Sequence, residues 1–558
     1  MLNSRLHFLG LLFFGLSWLS YDHYRPWVNF HAEALAIIGL TAFAFGLLFR
    51  LTTTLNMPTL VKRIALVALI PWVQYSLGIS LFAGDALICS IYVAALAAAV
   101  WVGFAMAQVQ NGTERNGPAG LMHSFWIVAM ISAAIGMAHW FNIEEPLGMY
   151  VVQGQIGQRA MGNLGQANQL ATLLLMGLIA FAWAYERFFV GPITLTIGSS
   201  FLTIALVMAH SRAGILGAFL VVSFIIWKKR RFPTRLQTIA LVIWLLLYIG
   251  GTLILPFASH ALLISEDLSI SRPQEIGYRV TMWKQVAYAI TQAPWVGYGW
   301  NQTPTAHAAG AIAFPFSVTY TNAHNFILDI LAWNGIPIGL LILGAIGWWF
   351  LSRMRSVSTR NSIFGMAALL PFAMHSMVEY PFAYAYFLIA AGFMVGFVEA
   401  ERGKFKVVTL NLRWVLPLVF VWTGIGSYLI YEYLLIEEDF RVVRFENLKL
   451  GNTPPEYEVP KVRMLSQMST MLNASRLRAN TGMSLADLET LRKASARFSY
   501  GALRFRYAQA LALNGNPLGA LSQLEIIKGM YGVEYYDACI IELKRLSEHK
   551  YPQLAAVI

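Results

Sequence analysis

Apolar runs close to the roughly 20 residues that a helix needs to cross a bilayer recur along most of the chain, separated by short polar connections. About thirteen such runs are readable on that length criterion, near 6–20, 33–49, 64–82, 86–107, 120–141, 168–185, 192–209, 213–227, 236–257, 324–351, 363–377, 382–398 and 412–431. Basic residues gather in alternate connections: Arg50, Lys62 and Arg63; Arg115; Lys228, Lys229, Arg230, Arg231 and Arg235; Arg353, Arg355 and Arg360; Arg402, Lys404 and Lys406. The connections between them hold mainly Asp22, Asp85, Glu144, Glu145 and Glu379. Loops rich in Lys and Arg stay on the cytoplasmic side, so the alternation predicts a cytoplasmic N-terminus and, with an odd number of spans, a C-terminal tail outside. Residues 1–20 have the apolar core of a signal peptide but no small-residue cleavage site, which predicts an uncleaved first span.

Three outward segments break the pattern. Ile143 to Gln169 contains a glycine-interrupted run of amides, which cannot face lipid and needs water or protein around its backbone. Residues 259–323 form the longest connection, and loops of that length are functional or disordered. The short connection 374–381 compresses His375 and Glu379 between two spans. After about residue 431 the composition turns charged, giving an expected division into a membrane domain, 1–431, and an outer helical domain, 432–558. Within the latter, 502–521 reads as two amphipathic helices joined by Gly515-Asn516-Pro517, like a tetratricopeptide unit. Both a docking surface and a stabilising appendage fit that domain.

Composition agrees with this patterning: 57% of the 558 residues are hydrophobic and 12% charged, so the expected fold class is an all-α polytopic membrane protein. The net charge of +12 does not indicate nucleic acid, because the basic residues follow the connections and form no stripe interleaved with aromatics. Cys89 and Cys539 are the only cysteines, one in a run and one in the tail, so neither an internal disulfide nor a cysteine zinc site is expected.

Against that frame a few polar residues stand out. His324, Asn325 and Asp329 open the run at 324–351, where an imidazole at the water boundary either caps the helix or serves as a general base. His210-Ser211-Arg212 lies at a turn between two runs on the same predicted side, and Arg212 is either a snorkelling interfacial residue or a ligand for an anion. Arg279, Trp283 and Val286-Ala287 fall at helical spacing and predict an amphipathic helix on the membrane surface, followed by the turn Pro294-Trp295-Val296-Gly297-Tyr298-Gly299-Trp300. Arg212, Arg279 and Lys284 on one side would suit a diphosphate, because guanidinium groups stay charged and grip phosphate oxygens in pairs.

Taken in order, Ser211-Arg212, Arg279 with Met282-Trp283, Pro294 to Gly299 and His324-Asn325 resemble the motifs of the O-antigen ligase superfamily. Gly162 to Ala171, with His375-Ser376, Glu379-Tyr380-Pro381 and Tyr384-Ala385-Tyr386, is similar to its branch of bacterial O-linked protein oligosaccharyltransferases. The resemblance covers roughly 159–399 and implies a glycosyltransferase in the bacterial inner membrane with its active site facing the periplasm. It implies inverting transfer of a preassembled glycan from undecaprenyl diphosphate to Ser or Thr of a periplasmic protein or pilin. His324 would be the base, Arg212 and Arg279 would hold the diphosphate, and Asn325, Lys284, Gln166, Asn168, His375 and Glu379 would contact substrate. No Asp-x-Asp motif and no Trp-Trp-Asp run occur, so neither metal nor cofactor is expected. The chain departs from the family at Asn322, where many members carry a second histidine, at Trp333, where many carry an acid, and at Ala167, usually proline. O-antigen ligation to lipid A core and polymerisation of repeat units remain alternatives. A transporter is disfavoured by the absence of paired halves with matching broken spans.

Overall fold

Helices form wherever the apolar runs lie, and the breaks between them place the polar residues. The computed structural model describes residues 2–50, 53–108, 119–154, 158–264, 273–400 and 407–558; Arg115, Arg402, Lys404 and Lys406 lie outside these. In order the helices are α1 (Leu2–Ser17), α2 (Phe30–Leu48), α3 (Thr59–Val67), α4 (Ile70–Ser76), α5 (Ala83–Gln108), α6 (Ala119–Phe141) and α7 (Ala167–Glu186). Then come α8 (Pro192–Met208), α9 (Arg212–Lys229), α10 (Thr238–Ala261), α11 (Pro273–Gln292), α12 (Thr303–Ala311), α13 (Phe326–Ser356), α14 (Arg360–Ser376) and α15 (Ala385–Ala400). The last are α16 (Leu412–Leu448), α17 (Ser466–Arg476), α18 (Leu485–Arg497), α19 (Gly501–Leu513), α20 (Pro517–Tyr531) and α21 (Val533–His549).

Among the described residues, seven helices are long and apolar enough to span a membrane (α2, α5, α6, α7, α10, α13 and α16), and α8, α15 and the Ser4–Ser17 part of α1 are apolar but shorter. The chain is a multi-pass membrane protein, yet this count stops short of the thirteen runs. The run at 64–82 is cut into α3 and α4 by a turn at 68–69. Helix α9 carries Arg212, Lys228 and Lys229 at its ends, and α14 is only 17 residues long with Pro371 inside it. The expectation of an all-helical chain also needs one correction. Two short strands, β1 (Thr54–Pro58) and β2 (Val407–Asn411), pair antiparallel with Thr54 opposite Asn411 and Pro58 opposite Val407.

The chain divides into two compact units, neither of them continuous in sequence. The first comprises Met1–Val67, Tyr92–Arg272 and Gly347–Gly424; the second comprises Ala68–Ile91, Pro273–Ile346 and Ile425–Ile558. The units therefore do not follow the expected division at 431, since α11, α12 and the start of α13 cluster with the C-terminal helices.

In the first unit α7 is almost wholly buried, with α6, α14 and α9 against it. Small residues let helices approach there, as membrane packing requires without a hydrophobic drive between helices. A Cβ on Gly103 would lie 2.3 Å from the Phe393 carbonyl oxygen, and one on Gly396 would lie 2.3 Å from that of Val100, so α5 and α15 touch backbone to backbone.

In the second unit the C-terminal helices are tied down by buried charges. The Glu432 carboxylate accepts the backbone N–H groups of Arg463, Met464 and Leu465 at 2.6, 2.8 and 3.1 Å. Arg476 pairs with Asp439 and Glu446. Arg497 at the end of α18 grips Asp85 at the start of α5 with two bonds, 2.7 and 2.9 Å, and Gln302 donates to the same carboxylate at 2.9 Å. The helix pair expected at 502–521 is α19 and α20, with Gly515 left-handed at the turn and Asn516 capping α20 through the Gly519 N–H at 2.8 Å. Its tetratricopeptide character stays an analogy. Removing one partner of a buried ion pair strands the other, at about 3–5 kcal/mol. Asp85→Ala should therefore lower the melting temperature of the detergent-solubilised protein markedly. An unchanged transition would show that the pair contributes nothing.

Candidate active site

The candidate residues fall into two groups, one in each compact unit. In the second unit, α11 carries Arg279, Trp283 and Lys284. Met282, Val286, Ala289 and Ile290 are buried on one stripe of this helix, the spacing expected of a single helical face. That stripe packs on α12: a Cβ on Gly310 would meet the Gln285 carbonyl oxygen at 2.3 Å. The helix predicted from sequence is present, and its buried stripe is covered by α12. Buried Gln285 donates to the Phe314 carbonyl at 2.6 Å and accepts the Tyr320 hydroxyl at 3.0 Å, fixing the loop that leads to His324. Arg279 is half-buried on the same side as Trp283, one turn away. Lys284 is exposed and lies about 140° round the helix from Arg279, so the structure does not bring it together with the arginine.

His324 itself sits in a tight turn before α13. Its backbone is left-handed, φ +50°, which is uncommon for a residue with a Cβ. The preceding residue, Ala323, is fully buried, and its N–H donates to Asp329 Oδ1 at 2.9 Å while its carbonyl accepts the Trp283 indole N–H at 3.0 Å. Asn325 Oδ1 accepts the N–H groups of Ile327 and Leu328 at 3.0 and 3.1 Å. It thus satisfies two of the donors that a helix start leaves unpaired.

Helix α13 is not one continuous span. Gly335 is non-helical, φ 72° and ψ 177°, and Pro337 follows. Thus His324 heads a short, largely buried segment, 326–334, and the span begins after the break. The turn from Pro294 to Trp300 clasps this break. Tyr298 N–H donates to the Ala332 carbonyl at 2.8 Å, Gly299 N–H to Trp333 at 3.1 Å, and Ile336 N–H to Pro294 at 2.7 Å. Gly297 and Gly335 are required because Cβ atoms there would lie 2.6 Å from the facing backbone, and both have positive φ. The aromatic-glycine turn is therefore a splice holding the broken helix. Trp300 adds an indole bond to Asn334 at 2.6 Å, and Gln74 bridges Trp300 N–H and the Trp333 carbonyl. Trp333, where an acid would fit the family pattern, donates to the Thr303 hydroxyl at 2.8 Å.

Beside this turn, His307 stacks on Tyr320 with ring centroids 3.9 Å apart, fully buried, and neither ring nitrogen has a hydrogen-bond partner among the described residues. Burial, with Arg504 nearby, pushes its pKa down from 6.5 to about 3. The folded state holds this imidazole neutral, whereas the unfolded chain takes up a proton below 6.5. The stability it contributes is complete above that value and lost as pH falls from 6.5 toward 3. His307→Phe, which keeps the ring stack, should flatten the fall in melting temperature between about pH 7 and about pH 4. Equal falls in both proteins would contradict this.

In the first unit, Arg212 is the first residue of α9. Ser211 caps that helix, accepting the Gly214 N–H at 3.0 Å, and donates its hydroxyl to Asn168 Oδ1 at 2.8 Å. Asn168 in turn donates to Glu379 at 3.4 Å. Thr172, one turn further along α7, hydrogen-bonds His375 Nδ1 at 2.9 Å. Asn168, His375, Glu379 and the Ser211-Arg212 turn are thus brought together on α7, α9 and the end of α14, with Gln166 half-buried at the N-cap of α7. Burial, with Glu379 nearby, pushes the Tyr380 phenol above its usual range, so it remains a neutral hydrogen-bonding group. The glycine-amide motif forms two left-handed turns, at Gly162 and Gly165. Asn163 fixes it from inside, donating to the Leu19 and Tyr150 carbonyls at 2.8 and 3.0 Å and accepting the Val152 N–H at 3.2 Å.

Sequence reasoning left Ser211, Thr172, Trp283 and Thr303 without roles. Ser211 was within reach, since a serine before a basic residue and an apolar run is an N-cap signal; the others are set by long-range contacts.

Sequence profiles of three known families match the chain: O-Antigen ligase over residues 197–344, Protein glycosylation ligase over 160–183, and Virulence factor membrane-bound polymerase, C-terminal, over 363–544. Every candidate residue lies inside one of these segments. The chain is 25% identical over 553 residues to a General O-oligosaccharyltransferase of Acinetobacter baylyi, covering 94% of this chain and 92% of that protein. It is 29% identical over 296 residues to a ComP-specific O-oligosaccharyltransferase of the same organism, covering 52% of each.

Proposed function

We propose that the chain is an O-linked protein oligosaccharyltransferase of the O-antigen ligase superfamily, set in the bacterial inner membrane with its active site toward the periplasm. Its donor is a preassembled glycan on undecaprenyl diphosphate and its acceptor a Ser or Thr hydroxyl of a periplasmic protein, with pilin the first candidate. The observation that carries the reading is the turn built around His324, in which side chains bind both the N–H and the carbonyl of the preceding residue, Ala323, to present a part-exposed imidazole. The similarity to an O-oligosaccharyltransferase over nearly the whole chain supports it.

In this reading neutral His324 accepts the proton of the acceptor hydroxyl as that oxygen bonds to the anomeric carbon. The bond from that carbon to the diphosphate oxygen breaks, and its electron pair leaves with undecaprenyl diphosphate. The proton passes from the imidazolium to water, and direct displacement inverts the anomeric centre. Arg279 and Arg212 offset the charge growing on the leaving diphosphate. Arg212 stands at the N-terminus of α9, the wrong end of a helix dipole for a cation and the right one for an anion. Guanidinium groups thus take the role that a metal holds elsewhere. Asn168, Glu379, His375, Gln166, Asn325 and Lys284 remain candidates for contacts to sugar or acceptor.

The matched polymerase segment favours one second reading, in which the acceptor is another lipid-linked repeat unit. Expression with a pilin-like acceptor in a strain making a lipid-linked glycan separates the two. Protein glycosylation gives a mass shift on the acceptor that survives EDTA in a reconstituted assay. A lengthened lipid-linked glycan with unmodified acceptor would support the polymerase, and lipopolysaccharide newly carrying O-antigen would support a ligase.

A further inference from the structure

We propose that Asp329 and Trp283 are positioning residues that act through Ala323, whose N–H and carbonyl they bind, to hold the imidazole of His324 in place. The inference rests on the reading of His324 as the base.

A left-handed residue bearing a Cβ persists only where its surroundings over-determine it. Here they do so by holding both peptides that flank the preceding residue, Ala323: Asp329 Oδ1 accepts its N–H, in the 322–323 peptide, at 2.9 Å, and Trp283 Nε1 donates to its carbonyl, in the 323–324 peptide, at 3.0 Å. With both peptides that flank Ala323 held and Asn325 locking the first turn of α13, the backbone at His324 is fixed on either side. The carboxyl of Asp329 is itself oriented. Thr303 donates to the same Oδ1 at 2.8 Å, and Trp333 donates to the Thr303 oxygen at 2.8 Å, so a relay of three side chains ends on the N–H of Ala323, the residue before the histidine.

Two features set this apart from ordinary packing. Asp329 is fully buried, and its Oδ2 has no hydrogen-bond partner among the described residues, an expensive group to keep where an apolar side chain would fill space at less cost. Trp283 lies one turn from Arg279 on the same helix, so the clamp also fixes His324 relative to the helix that carries a proposed phosphate ligand. Thr303 opens α12, whose other end packs on α20: a Cβ on Gly529 would meet the Ala311 carbonyl oxygen at 2.4 Å. The C-terminal helices thereby buttress the relay, which fits the reading of that domain as a stabilising element.

The test uses the full chain in proteoliposomes, with a lipid-diphosphate-linked glycan and an acceptor protein, comparing Asp329→Ala, Asp329→Asn, Trp283→Phe and His324→Ala. Displacing a base by about an ångström costs on the order of 10²-fold, so Asp329→Ala and Trp283→Phe should lower kcat by roughly ten- to a hundredfold, with donor KM within about twofold. Asparagine keeps an oxygen for the Ala323 N–H, so Asp329→Asn should hold kcat within about threefold of the parent. The proposal is overturned by unchanged kcat in Trp283→Phe, by an effect on KM alone, or by Asp329→Asn failing as Asp329→Ala does. Should Asp329→Ala not fold, Trp283→Phe decides by itself, since it removes the indole N–H while keeping an aromatic side chain at that position. If His324→Ala retains activity, the base assignment fails. If His324→Ala is inactive while the clamp variants turn over normally, the positioning proposal alone fails.

Discussion

His324→Ala is expected to abolish glycan transfer while leaving membrane levels and thermal stability close to those of the parent. General-base assistance is worth about 10²- to 10⁴-fold, and with the hydroxyl otherwise unactivated, transfer at the upper end of that range of loss would vanish from most assays. The imidazole is part-exposed and the hydrogen bonds of its turn are made by Ala323, Asn325 and Asp329, so the fold should not depend on the ring. His324→Asn sharpens the result. Asparagine tolerates the left-handed backbone better than most residues, so it preserves the turn and removes only the base. Both variants should be inactive at normal abundance by immunoblot, and turnover by either would remove the base assignment.

The second large effect is expected for Arg279→Lys. A lysine preserves the charge and much of the length but offers a compact ammonium in place of a planar fork, and it cannot bind two phosphate oxygens in parallel. Loss of one donor aimed at developing negative charge costs about 10²- to 10³-fold in kcat; with the charge retained, a fall nearer the lower end is expected. Single-turnover transfer measures this separately from donor binding. Rates near those of the parent would reduce Arg279 to an anchor of α11.

How far these residues could be read from the sequence varied with the range of the contacts that define them. The helix carrying Arg279 was legible because Arg279, Trp283 and Val286-Ala287 fall at helical spacing, a local property, although the stripe that is buried is Met282, Val286, Ala289 and Ile290. What its apolar face meets was not, since α12 comes into register through Gly310 and not through periodicity. The run opened by His324 reads as one apolar span, and hydropathy is blind to its break. The signal, Gly335 with Pro337, was present, but the Pro294–Trp300 segment that stabilises the break lies about 40 residues upstream, a distance no local rule crosses. Asp85 was read as a marker of sidedness, while its structural role depends on Arg497, hundreds of residues away. The β1–β2 pair joins two short segments from opposite ends of the first unit, each too brief to signal a strand alone. The tail shows the same division: the α19–α20 pair was visible from its Gly515-Asn516-Pro517 turn, whereas its support of α12 was not. Asp329 falls between these cases. It was conspicuous as a carboxyl at the start of an apolar run, but only its bonds to Ala323 and Thr303 give it a task.

In the proposed reaction one imidazole and two guanidinium groups serve a single lipid-linked diphosphate. A structure of the protein with a non-hydrolysable polyprenyl-diphosphate-linked sugar would show whether they do. The phosphate oxygens are expected on Arg212 and Arg279 and the anomeric carbon facing the His324 side chain, with room between them for one hydroxyl. Phosphates bound away from both arginines, or a sugar whose anomeric carbon lies out of reach of His324, would contradict it.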